Sequence, residues 1–200
     1  MLKSKKNNLL IQSGFTLMEV MVYMAIFAMV GTMGYEFIVY GFKNTTFADE
    51  QEEAIDNARK AEEILSEEIR GANNSDNGSY PLATTTDFEL VFYADINDDN
   101  SMEKIRYYIN GTTTLMKELT MAGASHDYSA APSVTTVANY LNNLTEPLFL
   151  YYDRNNLETD TINNIRMIGI SLKINVTPTR APNDYYVTTN AHLRNLKDNL

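Results

Sequence analysis

From Phe15 to Phe42 the chain is almost wholly apolar, and the only charges in that run are Glu19 and Glu36. A run of this length suits a helix whose whole circumference meets lipid or other protein. Its charge-free middle, Val20 to Tyr35, reaches about 24 Å as a helix. Phe15 to Leu17 and Phe37 to Tyr40 extend it toward the roughly 30 Å of a hydrocarbon core. Residues 1 to 14 are polar and basic, with Lys3, Lys5 and Lys6 and no acid. Lysines placed there hold that end on the cytoplasmic side and leave everything after the span outside. An ordinary secretory signal would be cut after the apolar run, with Gly31-Thr32-Met33-Gly34 as its small-residue site. A plain membrane anchor would be uncut, with Glu19 at the headgroup level. The signal leaves Glu19 unexplained, and a carboxylate facing lipid costs about 3 kcal/mol and so points to a partner or a function. In the anchor the interface hydrates it, and the physics of this segment alone leaves both readings open.

The order Gly14-Phe15-Thr16-Leu17-Met18-Glu19-Val20 resembles the type IV prepilin processing motif, in which a glycine precedes a hydrophobic residue and a glutamate follows shortly. The resemblance takes in the basic leader, the junction and the apolar helix, the first 42 residues in all. It implies cleavage by a membrane prepilin peptidase between Gly14 and Phe15, and methylation of the new Phe15 amine. It also implies that Glu19 neutralises the N-terminal amine of a neighbouring subunit in a filament. That would supply the partner an intramembrane carboxylate requires. Gly14 suits such a junction because a side chain would crowd a narrow cleft. Unlike many major pilins, this sequence has no proline before Pro81. Gly31 and Gly34 are the weak points of the helix instead, each costing about 1 kcal/mol relative to alanine. Glu36 is expected at the outer membrane surface.

After Phe42 the composition turns polar and acidic while helical spacing continues. Ala54, Ala58, Ala61, Leu65 and Ile69 recur at steps of four, three, four and four, which makes one apolar stripe. Glu52, Glu53, Glu62, Glu63, Glu67 and Glu68 read as the solvated opposite face. Gly71 and the polar run from Asn73 to Ser79 end the helix. Beyond it, short β-prone runs separated by turn residues predict an antiparallel sheet. They are Asp87 to Ala94, Glu103 to Asn110, Thr113 to Thr120, Leu148 to Tyr152, the alternating stretch from Ile168 to Val176, and Tyr185 to Leu193. Asn110-Gly111 signals a tight hairpin. Ala122 to Thr136 reads as a surface loop, and Val137, Tyr140, Leu141 and Leu144 as one short amphipathic helix. The expected fold is therefore α+β and type IV pilin-like, with a long N-terminal helix packed on an antiparallel head. Its parts are a leader at 1–14, a transmembrane or filament-core helix at 15–42, an amphipathic continuation at 43–71 and a globular head at 72–200.

Within the head, four stretches resemble minor pilins and the J-type minor pseudopilins of type II secretion. They are Arg59 to Arg70, Phe92-Tyr93-Ala94-Asp95 leading to Ile105-Arg106-Tyr107-Tyr108, Leu148 to Asp153, and His192-Leu193-Arg194-Asn195. The resemblance implies a filament subunit and not an enzyme. Its partners would be a prepilin peptidase, other pilin or pseudopilin subunits and an assembly platform protein in the membrane. The protein would sit in the cytoplasmic membrane with its head outside, and then in a periplasmic or surface filament. The rival reading from the same residues is a membrane-anchored binding protein that works alone. A secreted hydrolase is a third.

The chain carries a formal charge of −10, and without residues 1 to 14 it would carry −13. Such a surface repels phosphate backbones, so no nucleic acid is expected on it. Absence of cysteine removes disulfides, thiolate metal sites and thiol lipidation. His126 and His192 are the only histidines, which leaves metal catalysis without its usual ligands. No phosphate loop, nucleophile elbow or catalytic triad is evident, and no cofactor is implied. The run from Asp95 to Glu103 puts oxygens at alternate positions, as a calcium loop does, with Asp95, Asn97 and Asp99 as the weak candidate ligands. The expected central glycine is Asn100, however, and the closing acid falls on Arg106, so a solvated turn between two strands is the expected reading. In the tyrosine pairs 107–108, 151–152 and 185–186, one member of each should face the core.

Overall fold

The computed structural model describes residues 14–123, 125–179 and 184–196; Lys3, Lys5 and Lys6 lie outside the described residues. The chain divides into two compact units, Met1–Phe47 and Ala48–Leu200. Helix α1 spans Leu17–Arg70. In the first unit the apolar side chains from Phe15 to Phe42 are solvent-exposed on every side, apart from the half-buried Val39. It is the one described helix long and apolar enough to cross a membrane. Gly31, Gly34 and Gly41 are helical with open space where a Cβ would lie.

In the second unit α1 becomes amphipathic. Ala54, Ala58, Ala61, Leu65 and Ile69 are all buried, as their spacing predicts. The helix stops at Arg70, where the Gly71 N–H is shared between the Glu67 and Glu68 carbonyls at 3.2 and 3.1 Å. Five antiparallel strands form the first sheet in sequence order: β1 (Leu82–Thr85), β2 (Glu89–Ala94), β3 (Glu103–Asn110), β4 (Thr114–Thr120) and β5 (Ser133–Ala138). A second antiparallel sheet contains β6 (Phe149–Tyr152), β7 (Met167–Ile174) and β8 (Tyr185–His192), in that order. The α1 stripe and the inner faces of both sheets share one core. Period-2 alternation selects the inner faces. On β3 it buries Ile105 and Tyr107, and on β7 it buries Ile168, Ile170, Leu172 and Ile174.

The α+β architecture is the expected one, and six of the eight strands lie within a residue or two of the expected runs. Several local expectations fail. Ala122 to Thr136 is not all loop, because Ser133 onward forms β5 on the edge of the first sheet. Residues 137 to 144 form no helix: Tyr140 and Leu144 have φ of 62° and 43°, in the left-handed region. Asparagines hold that segment instead. Asn143, buried, donates to the Ser171 carbonyl at 2.8 Å and accepts the Lys173 N–H at 3.1 Å, so its amide continues the edge of β7. Asn142 donates to Asp184 at 2.9 Å. Side chains that satisfy strand backbone in this way compete with helix. The third failure is Glu68, which faces the core and not solvent; its Oε2 accepts the Tyr107 hydroxyl at 2.7 Å, and Lys117 pairs with its Oε1.

Tyr107 and Tyr151 face inward and their neighbours are half-buried, as expected; Tyr185 and Tyr186 are both exposed. Asn110-Gly111 does begin the β3–β4 turn, with Gly111 at φ 68°, but the Asn110–Thr114 pair leaves three residues in the loop where a tight hairpin has two.

Candidate functional site

The N-terminal end of α1 is assembled from local interactions. Thr16 precedes the first helical residue, and its Oγ1 accepts the Glu19 N–H at 3.2 Å. This is half of a capping box, the Ser/Thr-x-x-Glu signature, which satisfies one of the orphan donors at a helix start. The Glu19 carboxylate does not complete the box; its Oε1 accepts the Tyr23 hydroxyl one turn on, at 3.3 Å. Tyr23 in turn meets the Phe15 ring edge-on, with centroids 6.3 Å apart. Glu19 therefore has a local role, since an acid in the first turn also complements the helix dipole. Its charge has no cationic partner among the described residues. Gly14 has open space where a Cβ would lie, and its backbone is not in the left-handed region. Nothing among the described residues requires glycine at that position.

The acidic turn lies elsewhere, between β2 and β3. Ala94 pairs with Glu103, so residues 95 to 102 form the loop. Asp95 accepts the Asp99 N–H at 3.2 Å and the Asn100 N–H at 2.9 Å, and Asp99 accepts the Ser101 N–H at 2.8 Å. Asp76, from the turn after α1, accepts the Met102 N–H at 3.1 Å and the Ser101 hydroxyl at 2.8 Å; that hydroxyl above all holds its carboxyl below the usual range. Glu103 closes the acidic run in the sequence, and its burial is what the sequence did not foresee. It is fully buried, its Oε2 accepts the Ile96 N–H at 3.0 Å, and its Oε1 has no partner among the described residues. Burial, reinforced by Asp99 and Asp95, pushes its carboxyl above the usual range. The alternation of β3 carries the signal, since it places Glu103 on the face of Ile105 and Tyr107. No three His, Cys, Asp or Glu side chains among the described residues converge as a ready-made metal cage. His126 stands near Asp76, with Nδ1 3.7 Å from its carboxylate, and His192 lies on β8.

Residues 10–35 match the family model described as the prokaryotic N-terminal methylation motif. Comparison with curated proteins and with solved structures returns no match for the chain. The motif, the long apolar helix and the two-sheet head together are consistent with a type IV pilin-like protein. The motif is that of a subunit processed at its N-terminus, not that of a catalytic family.

Proposed function

We propose that the protein is a minor pilin or pseudopilin, close to the J-type minor pseudopilins, which assembles through its N-terminal helix into a type IV pilus-like or type II secretion-like filament. The observation that carries this reading is a helix apolar on every side that starts at the methylation motif and bears one carboxylate in its first turn. Water is a poor solvent for such a surface. Lipid covers it in the precursor, and the helices of neighbouring subunits cover it in the filament.

On this reading residues 1–14 are the leader, 15–42 the membrane and filament-core helix, 43–71 its amphipathic continuation and 72–200 the head. A prepilin peptidase cuts between Gly14 and Phe15 and the Phe15 amine is methylated. Glu19 pairs with the amine of a neighbour, in place of its weak intrachain contact with Tyr23. A platform protein in the membrane draws the subunits together, and the head stays outside, without nucleic acid and without enzymatic activity.

The test is the N-terminal mass of the protein recovered from membranes of cells with and without prepilin peptidase. A start at methylated Phe15, lost without the enzyme, is expected. A start at Met1 in both strains would instead support a stand-alone anchored binding protein, and one beyond Gly34 a secreted protein. Gly14→Leu is expected to accumulate the precursor, seen as the heavier band. Because a Cβ at position 14 meets only open space among the described residues, the folded head should be unchanged by circular dichroism. Normal processing of that variant would remove the cleft argument.

A further inference from the structure

We propose, on the strength of the filament reading above, that Phe15, Tyr23 and Phe27 form an aromatic receptor beside Glu19 for the methyl group on a neighbouring subunit's N-terminal amine. The site then discriminates a methylated amine from an unmethylated one, which gives the methylation a physical use.

Helical spacing brings the rings together. Glu19, Tyr23 and Phe27 follow one another at steps of four on α1, so they share one side of the helix. Phe15, just before the helix, sets its ring at 82° to that of Tyr23. With Val20 and Met24 the three rings line an open groove of about 590 Å³. All five side chains are exposed. An uncharged groove of this kind would by itself suit a lipid tail. Glu19 argues for a cation instead. The Tyr23 hydroxyl lies 3.3 Å from Glu19 Oε1, which places the carboxylate beside that ring. The carboxylate has no cationic partner among the described residues. A cation held by Glu19 therefore comes within reach of the Tyr23 face, which attracts ammonium groups out to about 6 Å from its centre.

The number of donors selects the methylated form. An unmethylated N-terminal ammonium carries three N–H donors, whereas N-methylation keeps the charge and leaves two. Glu19 offers two oxygens, and one of them already accepts the Tyr23 hydroxyl. In a dry helix bundle a third N–H is buried without an acceptor, which is costly. A methyl in its place needs no acceptor and packs on the rings, as methylated ammonium groups do in aromatic cages. In this site Tyr23 acts through its ring face, and its hydroxyl only steadies the carboxylate.

The test reads the share of subunits recovered in sheared filaments. It compares cells whose prepilin peptidase cuts and methylates with cells whose peptidase variant cuts without methylating. The N-terminal mass establishes the start and the methylation state in each strain. Leucine at 23 keeps the apolar bulk and removes the ring, and circular dichroism of the full chain in detergent micelles checks that the helix is intact. With full processing, Tyr23→Leu is expected to fall about 5- to 30-fold, the range of one cation–ring contact, while Tyr23→Phe restores the wild-type share. Loss of methylation should lower the wild type by a similar factor and leave Tyr23→Leu where it is. Three results would each overturn the receptor while Glu19→Val still drops out of the filament. They are a wild-type share for Tyr23→Leu, which would leave the groove to lipid, a failure of Tyr23→Phe to restore assembly, and an equal loss on demethylation in wild type and Tyr23→Leu. A wild-type share for Glu19→Val, or a chain starting at Met1, would instead sink the filament reading and the receptor with it.

Discussion

Glu19→Val is expected to be processed like the wild type and to fall at least about 100-fold in the share of subunits recovered in sheared filaments. The pairing of a carboxylate with an amine in a dry helix bundle is a short-range interaction at low dielectric. Removing one partner of a buried pair costs about 3 to 5 kcal/mol, and each 1.4 kcal/mol is tenfold in a binding constant. The local roles of Glu19 are too small to produce that loss. Its N–H bond to Thr16 Oγ1 survives substitution, and an acid in a first turn is worth about 0.3 to 1 kcal/mol. Two controls separate the effects. Glu19→Gln keeps the size and a hydrogen-bond acceptor but lacks the charge, so it should assemble poorly as well. Tyr23→Phe removes the intrachain hydroxyl that Glu19 accepts and should assemble normally. Wild-type incorporation of Glu19→Val would show that the neighbour's amine is not its partner.

The parts of the molecule legible in the sequence are those set by a single period. Every member of the stripe from Ala54 to Ile69 is buried, and β7 keeps its alternation, because each pattern has one solution for its element. The parts that were not legible depend on contacts distant in the chain. Residues 133 to 138 are Ser, Val, Thr and Ala, in a region whose composition suggests loop; they become a strand because the free edge of β4 pairs with them. The segment after it has apolar residues at helical spacing, but Asn142 and Asn143 find Asp184 and the β7 backbone, and those bonds outweigh a weak helical preference.

The acids show the same limit at the candidate sites. Glu19 stands out in sequence because it is the one charge at the start of an apolar run. Glu103 follows a stretch of acids and amides that looks solvated as a whole, and only the strand register separates it from them. Its alternation with Ile105 and Tyr107 is visible in the sequence, but its burial needs the loop to fold back over it. Glu67 and Glu68 are the plainest case, since composition treats them alike and the rotation of α1 does not: Glu67 is exposed and Glu68 turns toward the first sheet.

That pair supplies the second large effect. Glu68→Ala is expected to destabilise the head by about 3 kcal/mol, while Glu67→Ala stays within about 0.5 kcal/mol of the wild type. The Glu68 side chain is 13% exposed and that of Lys117 15%, so the pair is shielded from most of the water that weakens surface ion pairs. Tyr107, fully buried, donates to the same carboxylate at 2.7 Å, and burial followed by the Glu68 charge pushes its hydroxyl well above the usual tyrosine range. Alanine at 68 would strand both donors: an ammonium with no counter-ion and a hydroxyl with no acceptor. Glu68→Gln keeps an acceptor for Tyr107 and loses only the charge facing Lys117, so its cost should fall between the two. Tyr107→Phe removes one charge-assisted bond, about 1.5 kcal/mol. Combined with Glu68→Ala it should cost about 1 kcal/mol less than the sum of the single changes, because the hydroxyl is already unpaired in Glu68→Ala. Urea unfolding of the full chain in detergent, followed by circular dichroism, reads all of these. Equal stability of Glu67→Ala and Glu68→Ala would mean that helix and sheet are held by the apolar stripe alone, with Leu65 and Ile69 sufficient on either side of the ion pair.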